Sequence, residues 1–217
     1  MYLNRKNISL FFILSLSLFL GTSNLNPGKG LLHTVPQKVF GSPSKSGLLN
    51  VVPFFGNNFY EVEAGKLYRS KQLDTKTLDK AINKYGIKTI INLRGPNSGK
   101  KWYEKEKQIA LQNNVQHFDI QMSAVRLPSK ENIQTLIFLF ENAPKPIYIH
   151  CQGGADRTGL ASTVWLLLKG VSKKKAKKQL SLFYKHVKQA GTYPMDDFIK
   201  YWHGRDWALN EYDPANY

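Results

Sequence analysis

The chain runs to 217 residues with a formal net charge of +16, 31 Lys and Arg against 15 Asp and Glu, and its only cysteine is Cys151. One cysteine rules out an internal disulfide, so the fold stands on its apolar core alone. The charge favours an anionic partner; the five histidines (His33, His117, His150, His186 and His203) show no zinc-ligand spacing, and there is neither a Walker loop nor a dinucleotide fingerprint, so no metal and no cofactor are expected.

The N-terminus is ordered like a targeting segment. Arg5 and Lys6 give a positive start, residues 8–20 (ISLFFILSLSLFL) are apolar apart from serines, and Gly21-Thr22-Ser23 supplies small residues for cleavage. The apolar run is shorter than the ~20 residues a bilayer span needs. Residues 1–23 therefore read as a signal peptide that exports the protein, to the periplasm or as a secreted chain; the alternative is a membrane anchor through residues 8–20. No cysteine follows the run, which excludes lipid attachment there. Export also fits poorly with a nucleic acid partner. Residues 24–57 are basic and rich in Gly, Pro and Ser (NPGKG, GSPSKSG), as expected of an arm or linker. Residues 58–217 suffice for one domain with a sizeable core.

Within that domain, residues 66–70 read as a strand, 75–85 as a helix stopped by Gly86, and 88–93 as a buried β-branched strand. Residues 102–113 are helical and 115–120 a strand; Ser129 caps a helix whose apolar positions Ile133, Leu136, Ile137 and Phe140 recur three or four apart. Residues 146–150 (PIYIH) form a buried strand, and 158–169 (TGLASTVWLLLK) a helix apolar on nearly all sides. A further helix starts at Ser172 with Ala176, Leu180, Phe183, Tyr184 and Val187 on one face, and residues 196–207 form the last. Strands separated by helices predict an α/β fold, a central, mostly parallel sheet with helices on both faces. Its site belongs at the carboxyl end of a strand.

The turn between the strand ending at His150 and the helix starting at Thr158 reads Cys151-Gln152-Gly153-Gly154-Ala155-Asp156-Arg157. Such a loop can point successive N–H groups inward above the positive end of the next helix, which makes a cradle for a phosphate dianion. Gly153 and Gly154 permit the curl. The cradle favours thiolate over thiol at Cys151, which can then attack phosphorus. Arg157 can hold two phosphoryl oxygens at once, as a lysine could not.

The spacing Cys-x5-Arg-Thr resembles the signature of the cysteine-based protein tyrosine phosphatases of the small dual-specificity type. The likeness continues through NFYEVEAGKLYRSKQL at 58–73 and GIKTIINLR at 86–94, is similar to exported (periplasmic) bacterial members, and covers roughly residues 58–190 in order. The resemblance implies a dual-specificity-phosphatase-like fold, with Cys151 as nucleophile, Arg157 as phosphate clamp, and residues Gln152 to Arg157 as the phosphate-binding loop. It further implies that Thr158 hydrogen-bonds the thiolate and that His150 fixes the loop geometry without acting as a base.

The general acid departs from this family's pattern. These enzymes usually take it from an Asp on a loop some thirty residues before the cysteine, but the matching loop here, residues 120–128 (IQMSAVRLP), has no carboxylate, and Val125 stands near the acid's place. A donor is worth about 10²–10⁴-fold. Asp156 inside the phosphate loop is favoured; Asp119 and Glu131 are the other candidates, one reading as a strand-end residue and the other as a first-turn carboxylate.

The resulting expectation is an exported phosphomonoesterase that acts on phosphotyrosine, and on phosphoserine or phosphothreonine, through a cysteinyl-phosphate intermediate. The same chemistry on a phosphoinositide or inositol phosphate is the alternative, and a phosphate-binding module with little turnover a second. The lysines Lys173, Lys174, Lys175, Lys177 and Lys178 at a helix start oppose its dipole. They read either as a solvated face or as an attraction for an anionic membrane or a polyphosphorylated substrate. Without a second cysteine, oxidation of Cys151 leads to sulfenic acid or a mixed disulfide.

Overall fold

The computed structural model describes residues 56–188 and 193–217, all within the unit Pro43–Tyr217. The expected signal segment 1–23 and all but the end of the arm at 24–57 lie outside the described residues. Five strands, β1 (Tyr60–Glu63), β2 (Leu67–Lys71), β3 (Thr89–Asn92), β4 (Gln116–Asp119) and β5 (Ile147–Cys151), form one sheet in the order β1-β2-β5-β3-β4. All neighbours are parallel except β1, which runs antiparallel to β2 at one edge. β5 pairs with both β2 and β3 and is buried throughout.

α1 (Thr75–Tyr85) connects β2 to β3, α2 (Lys101–Gln112) connects β3 to β4, α3 (Lys130–Asn142) connects β4 to β5, and α4 (Asp156–Leu168) follows β5. Strand residues alternate between two cores, as the period of two requires. Tyr68, Ile90 and Tyr148 pack with Leu78, Ala81 and Ile82 of α1 and Ala110 of α2. Leu67, Ile91, Ile147 and Ile149 pack with α3, α4 and the C-terminal aromatic residues. This alternation sends Cys151 to the α4 side and His150 to the α2 side. Asp74 caps α1 by accepting from Thr77 N at 2.9 Å, Gly86 ends it at φ +62°, and Ser129 caps α3 by accepting from Asn132 N at 3.1 Å.

Three elements differ from expectation. β1 reads YEVE, half-buried and half-carboxylate, so it carries no apolar run and owes its form to pairing with β2. The helix expected from Ser172 is instead α5 (Lys173–Ala176), a 3₁₀ turn Lys177–Gln179 and a second 3₁₀ turn Leu182–Tyr184. The chain is drawn onto Gly159 of α4, where a Cβ would come within 2.7 Å of Leu180 Cδ2 and 2.8 Å of Gln179 O. Ala176, Leu180 and Tyr184 are buried there, but Phe183 and Val187 are exposed. The last helix, α6 (Tyr193–Tyr201), ends before Trp207, which starts a separate π-helical turn Trp207–Glu211. Packing of Phe198 against Trp202, Trp207 and Tyr212 folds this end back onto the core. No helix among the described residues is long and apolar enough to cross a membrane.

Candidate active site

Cys151 closes β5 and Asp156 opens α4, so residues 151–157 are the strand-to-helix turn that the sequence predicts. Its curl is imposed through three consecutive carbonyls. Gln72 N donates to Gln152 O at 3.3 Å, Asn58 Nδ2 to Gly153 O at 3.1 Å, and Arg69 Nη2 to Gly154 O at 2.6 Å. With these carbonyls engaged by the surrounding protein, Gly154 N points to Cys151 Sγ at 3.3 Å. Gly154 has φ +70°, and a Cβ on it would lie 2.4 Å from Lys71 N and 2.5 Å from Ser70 C, so no larger residue fits. Cys151 is only 2% exposed. The N-terminus of α4 adds a positive partial charge beneath the loop.

Arg157 Nη1 donates to Leu93 O and Met122 O, each at 3.3 Å, which ties the guanidinium to the ends of β3 and of the 120–128 loop. Its Nε is buried without a hydrogen-bond partner among the described residues. A buried N–H left unpaired costs free energy that an oxyanion ligand would relieve. Thr158 Oγ1 is likewise buried and unpartnered, so the bond to the sulfur implied by the family resemblance is not formed here.

His150 Nε2 lies 3.0 Å from Glu106 Oε1, which also meets His117 Nε2 at 2.9 Å, while Glu106 Oε2 accepts from Gln72 Nε2 at 2.5 Å. Burial would raise the Glu106 pKa, but the charges and hydrogen bonds of His150 and His117 outweigh it and hold the carboxyl far below the usual range. A buried anion thus clamps the residue before the cysteine, from the opposite face of the sheet.

Several of these partners escaped the sequence analysis. Arg69 is fully buried, donates through Nη1 to Gln179 O at 2.9 Å and Gln179 Oε1 at 2.7 Å, and lies 4.0 Å over the Tyr184 ring. Burial lowers its pKa to about 10, which still leaves it a cation at neutral pH. Its one signal was a charge inside an expected strand. Asn58 ties Gly153 O to Tyr184 O, and Arg94 stacks 3.9 Å over Trp102 while donating to Gln72 Oε1 at 3.3 Å. Burial and the repulsion of Arg157 lower the pKa of Arg94. Beside Gln72 opens a cleft of about 420 Å³ lined by Leu73, Thr75, Leu78 and Trp102, by the lysines Lys100, Lys101 and Lys105, and by the carboxylates Asp74 and Glu106.

The three candidate acids sit in different surroundings. Asp119 accepts from Asn92 Nδ2 at 2.8 Å and from the Tyr103 hydroxyl, so it braces the end of β4. Glu131 is exposed in the first turn of α3. Asp156 Oδ1 lies 2.7 Å from His186 Nδ1, and His186 Nε2 lies 2.9 Å from Asp196 Oδ2. Val125 is 57% exposed, on a loop without a carboxylate.

The sequence pattern of the family described as "DSP-PTPase phosphatase fused to NAD+ Kinase" matches residues 55–197. No curated protein sequence matches the chain. Among solved structures, the core catalytic domain of the PP-IP phosphatase SIW14 from S. cerevisiae superposes with a TM-score of 0.57 at 20% identity, covering 69% of this chain and 86% of that one. TpbA of P. aeruginosa gives 0.53 at 16% identity, over 66% and 84%. A putative phosphatase from Shewanella putrefaciens CN-32 gives 0.54 at 15%, over 69% and 95%. At these identities the likeness is one of fold.

Proposed function

The chain belongs to the DSP-PTPase family of cysteine-based phosphatases, and from that premise we propose that it is an exported phosphatase of phosphotyrosine proteins, acting also on phosphoserine or phosphothreonine. The observation that carries the chemistry is the loop itself. Gly154 N donates to Cys151 Sγ at 3.3 Å, and the Nε of Arg157, six residues further on, is buried without a hydrogen-bond partner among the described residues. In this reading the Cys151 thiolate attacks phosphorus in line, while the loop N–H groups and Arg157 follow the equatorial oxygens into the transition state. Asp156 protonates the leaving oxygen, and water then releases phosphate from cysteinyl-phosphate. Thr158 would reach the thiolate only after a change of side-chain rotamer, and His150 holds the loop.

A protein substrate is favoured by the cleft beside Gln72, whose apolar floor of Leu73, Leu78 and Trp102 and lysine rim suit the residues flanking a phosphotyrosine. A solved structure of TpbA holds pTyr. The second reading, an inositol phosphate or phosphoinositide, is favoured by the exposed Lys174, Lys175 and Lys178 and by the PP-IP activity named for SIW14. Export rests on the pattern of residues 1–23.

A panel of phosphopeptides and phosphoinositides assayed with the purified domain decides between the substrates. Cys151→Ser abolishes turnover of an aryl phosphate but retains phosphate binding, and chelator leaves the native rate unchanged. A stoichiometric burst of nitrophenol separates an enzyme from a binding module, which releases none. N-terminal sequencing of the native protein gives a start near Asn24 if the segment is cleaved, and an intact N-terminus in the membrane fraction if it is an anchor.

A further inference from the structure

We propose that His186, backed by Asp196, is a positioning residue that stores the proton Asp156 delivers to the leaving group. The inference rests on the reading of Asp156 as general acid. His186 stands between two carboxylates, 2.7 Å from Asp156 Oδ1 and 2.9 Å from Asp196 Oδ2, with a side chain only 3% exposed. Two carboxylates offer no proton of their own when ionised, and a neutral imidazole has one N–H. Both contacts become hydrogen bonds only if the trio holds a second proton.

Lys177 decides where that proton can go. Its Nζ lies 3.0 Å from Asp196 Oδ1. Burial would raise Asp196, but the hydrogen bonds of His186 and Lys177 outweigh it and keep that carboxyl below its ordinary value. The mobile proton is therefore shared between His186 Nδ1 and Asp156. Asp156 is also the exit, being 27% exposed where His186 is 3% and Asp196 7%. Its Oδ2 takes no hydrogen bond among the described residues. The charged groups facing the imidazole are Asp156 from α4 and Asp196 from α6, with Lys177 of the 3₁₀ turn behind Asp196; Lys185 and Lys188 of its own segment are exposed.

The step balances. As the sulfur–phosphorus bond forms and the phosphorus–oxygen bond of the ester breaks, the leaving oxygen takes the one shared proton, which passes from His186 Nδ1 through Asp156 and leaves His186 neutral with its Nε2–H on Asp196. Water then attacks cysteinyl-phosphate, the sulfur leaves as thiolate, phosphate departs, and the water's proton returns through Asp156 to His186.

The test compares phenyl phosphate, which needs a proton donor, with p-nitrophenyl phosphate, which hardly does, in the full chain carrying Asp156→Asn, His186→Gln or Asp196→Asn. His186→Gln should slow phenyl phosphate at least ~10-fold more than the nitrophenyl ester and move the alkaline limb of kcat towards the ordinary carboxylate range near pH ~4. Asp196→Asn should move the limb the same way by less, and it serves if the histidine variant does not fold. Equal losses on both substrates with an unmoved limb would mean that His186 only braces the fold, and would overturn the proposal. If Asp156→Asn itself shows no leaving-group effect, Asp156 is not the acid; if it does and His186→Gln does not, the acid stands and the proton store falls.

Discussion

Arg69 of β2 donates to the carbonyl of Gly154, 85 residues further along the chain, at 2.6 Å. Arg69 shares the register of Ile149 across the β2–β5 pair, two residues before the cysteine, so its side chain rises on the same face as the loop it holds. The contact converts a buried cation into the strut of an anion site. The same guanidinium grips Gln179, so the loop and the 3₁₀ segment are fastened together.

Replacing Arg69 by Met should therefore cost more than a packing defect. Hydrogen bonds from a charged donor contribute about 1.5–3 kcal/mol each, and three are lost. Because the variant no longer bears the cost of burying a guanidinium, which offsets part of that loss, we expect stability to fall by about 3 kcal/mol in urea titration. Vanadate inhibition, read on the folded fraction, should weaken as well. Arg69→Lys keeps the charge but cannot reach Gly154 and Gln179 together, and should recover only part of either.

Gly154→Ala tests the loop without touching a side chain. Its Cβ would meet the backbone at Lys71 and Ser70, and the left-handed φ of +70° is itself unfavourable for alanine. A shift of about 1 Å at the reacting atoms costs ~10²-fold, so kcat should drop by at least that much while circular dichroism stays native. Gly153, with open space around its Cβ position, should tolerate alanine with a far smaller loss.

The lysines divide into two groups with separable effects. Lys173 Nζ donates to Lys200 O at 3.1 Å and Lys177 pairs with Asp196, so neither is a free surface charge, whereas Lys174, Lys175 and Lys178 are exposed. Changing those three to Gln should raise KM for a phosphoinositide and spare a small aryl phosphate, and 1 M salt should mimic it as the Debye length falls from about 10 Å to 3 Å. Changing Lys100, Lys101 and Lys105 to Gln should instead raise KM for an acidic phosphopeptide. No effect on either substrate would leave both groups as solvated surface.

Stability should also carry the mark of His186. The hydrogen bond to Asp156 raises its pKa, with that to Asp196 adding to the effect against burial. A histidine raised on folding contributes stability that is fully present below its unfolded value of ~6.5 and is lost as pH rises through the higher folded value. The thermal midpoint of the native protein should thus decline relative to His186→Gln as pH is taken from ~6 to ~9. A constant difference would show that the imidazole carries no linked proton.

Much of this was legible in local spacing. Thr75–Tyr85 with Gly86 behind it, the Ser129 cap, the buried strand to Cys151 and the apolar helix after it each rest on contacts within a few residues, where period and turn chemistry act directly. The fold class and the Cys151–Arg157 turn follow from those pieces. The strand YEVE and the broken path after Ser172 do not, since one depends on its partner strand and the other on a glycine of α4.

The supports of the site belong to the same second kind. Asn58, Arg69, Glu106 and His186 lie between 30 and 95 residues from the partners they hold in and around the phosphate loop. In the sequence none of them carries a local signal that sets it apart from its polar neighbours, and a buried polar group is unfavourable until the fold supplies its partner. Local chemistry therefore announced the loop and its cysteine, while its curl and the company Asp156 keeps were settled by chain segments that meet only once the sheet has closed around β5.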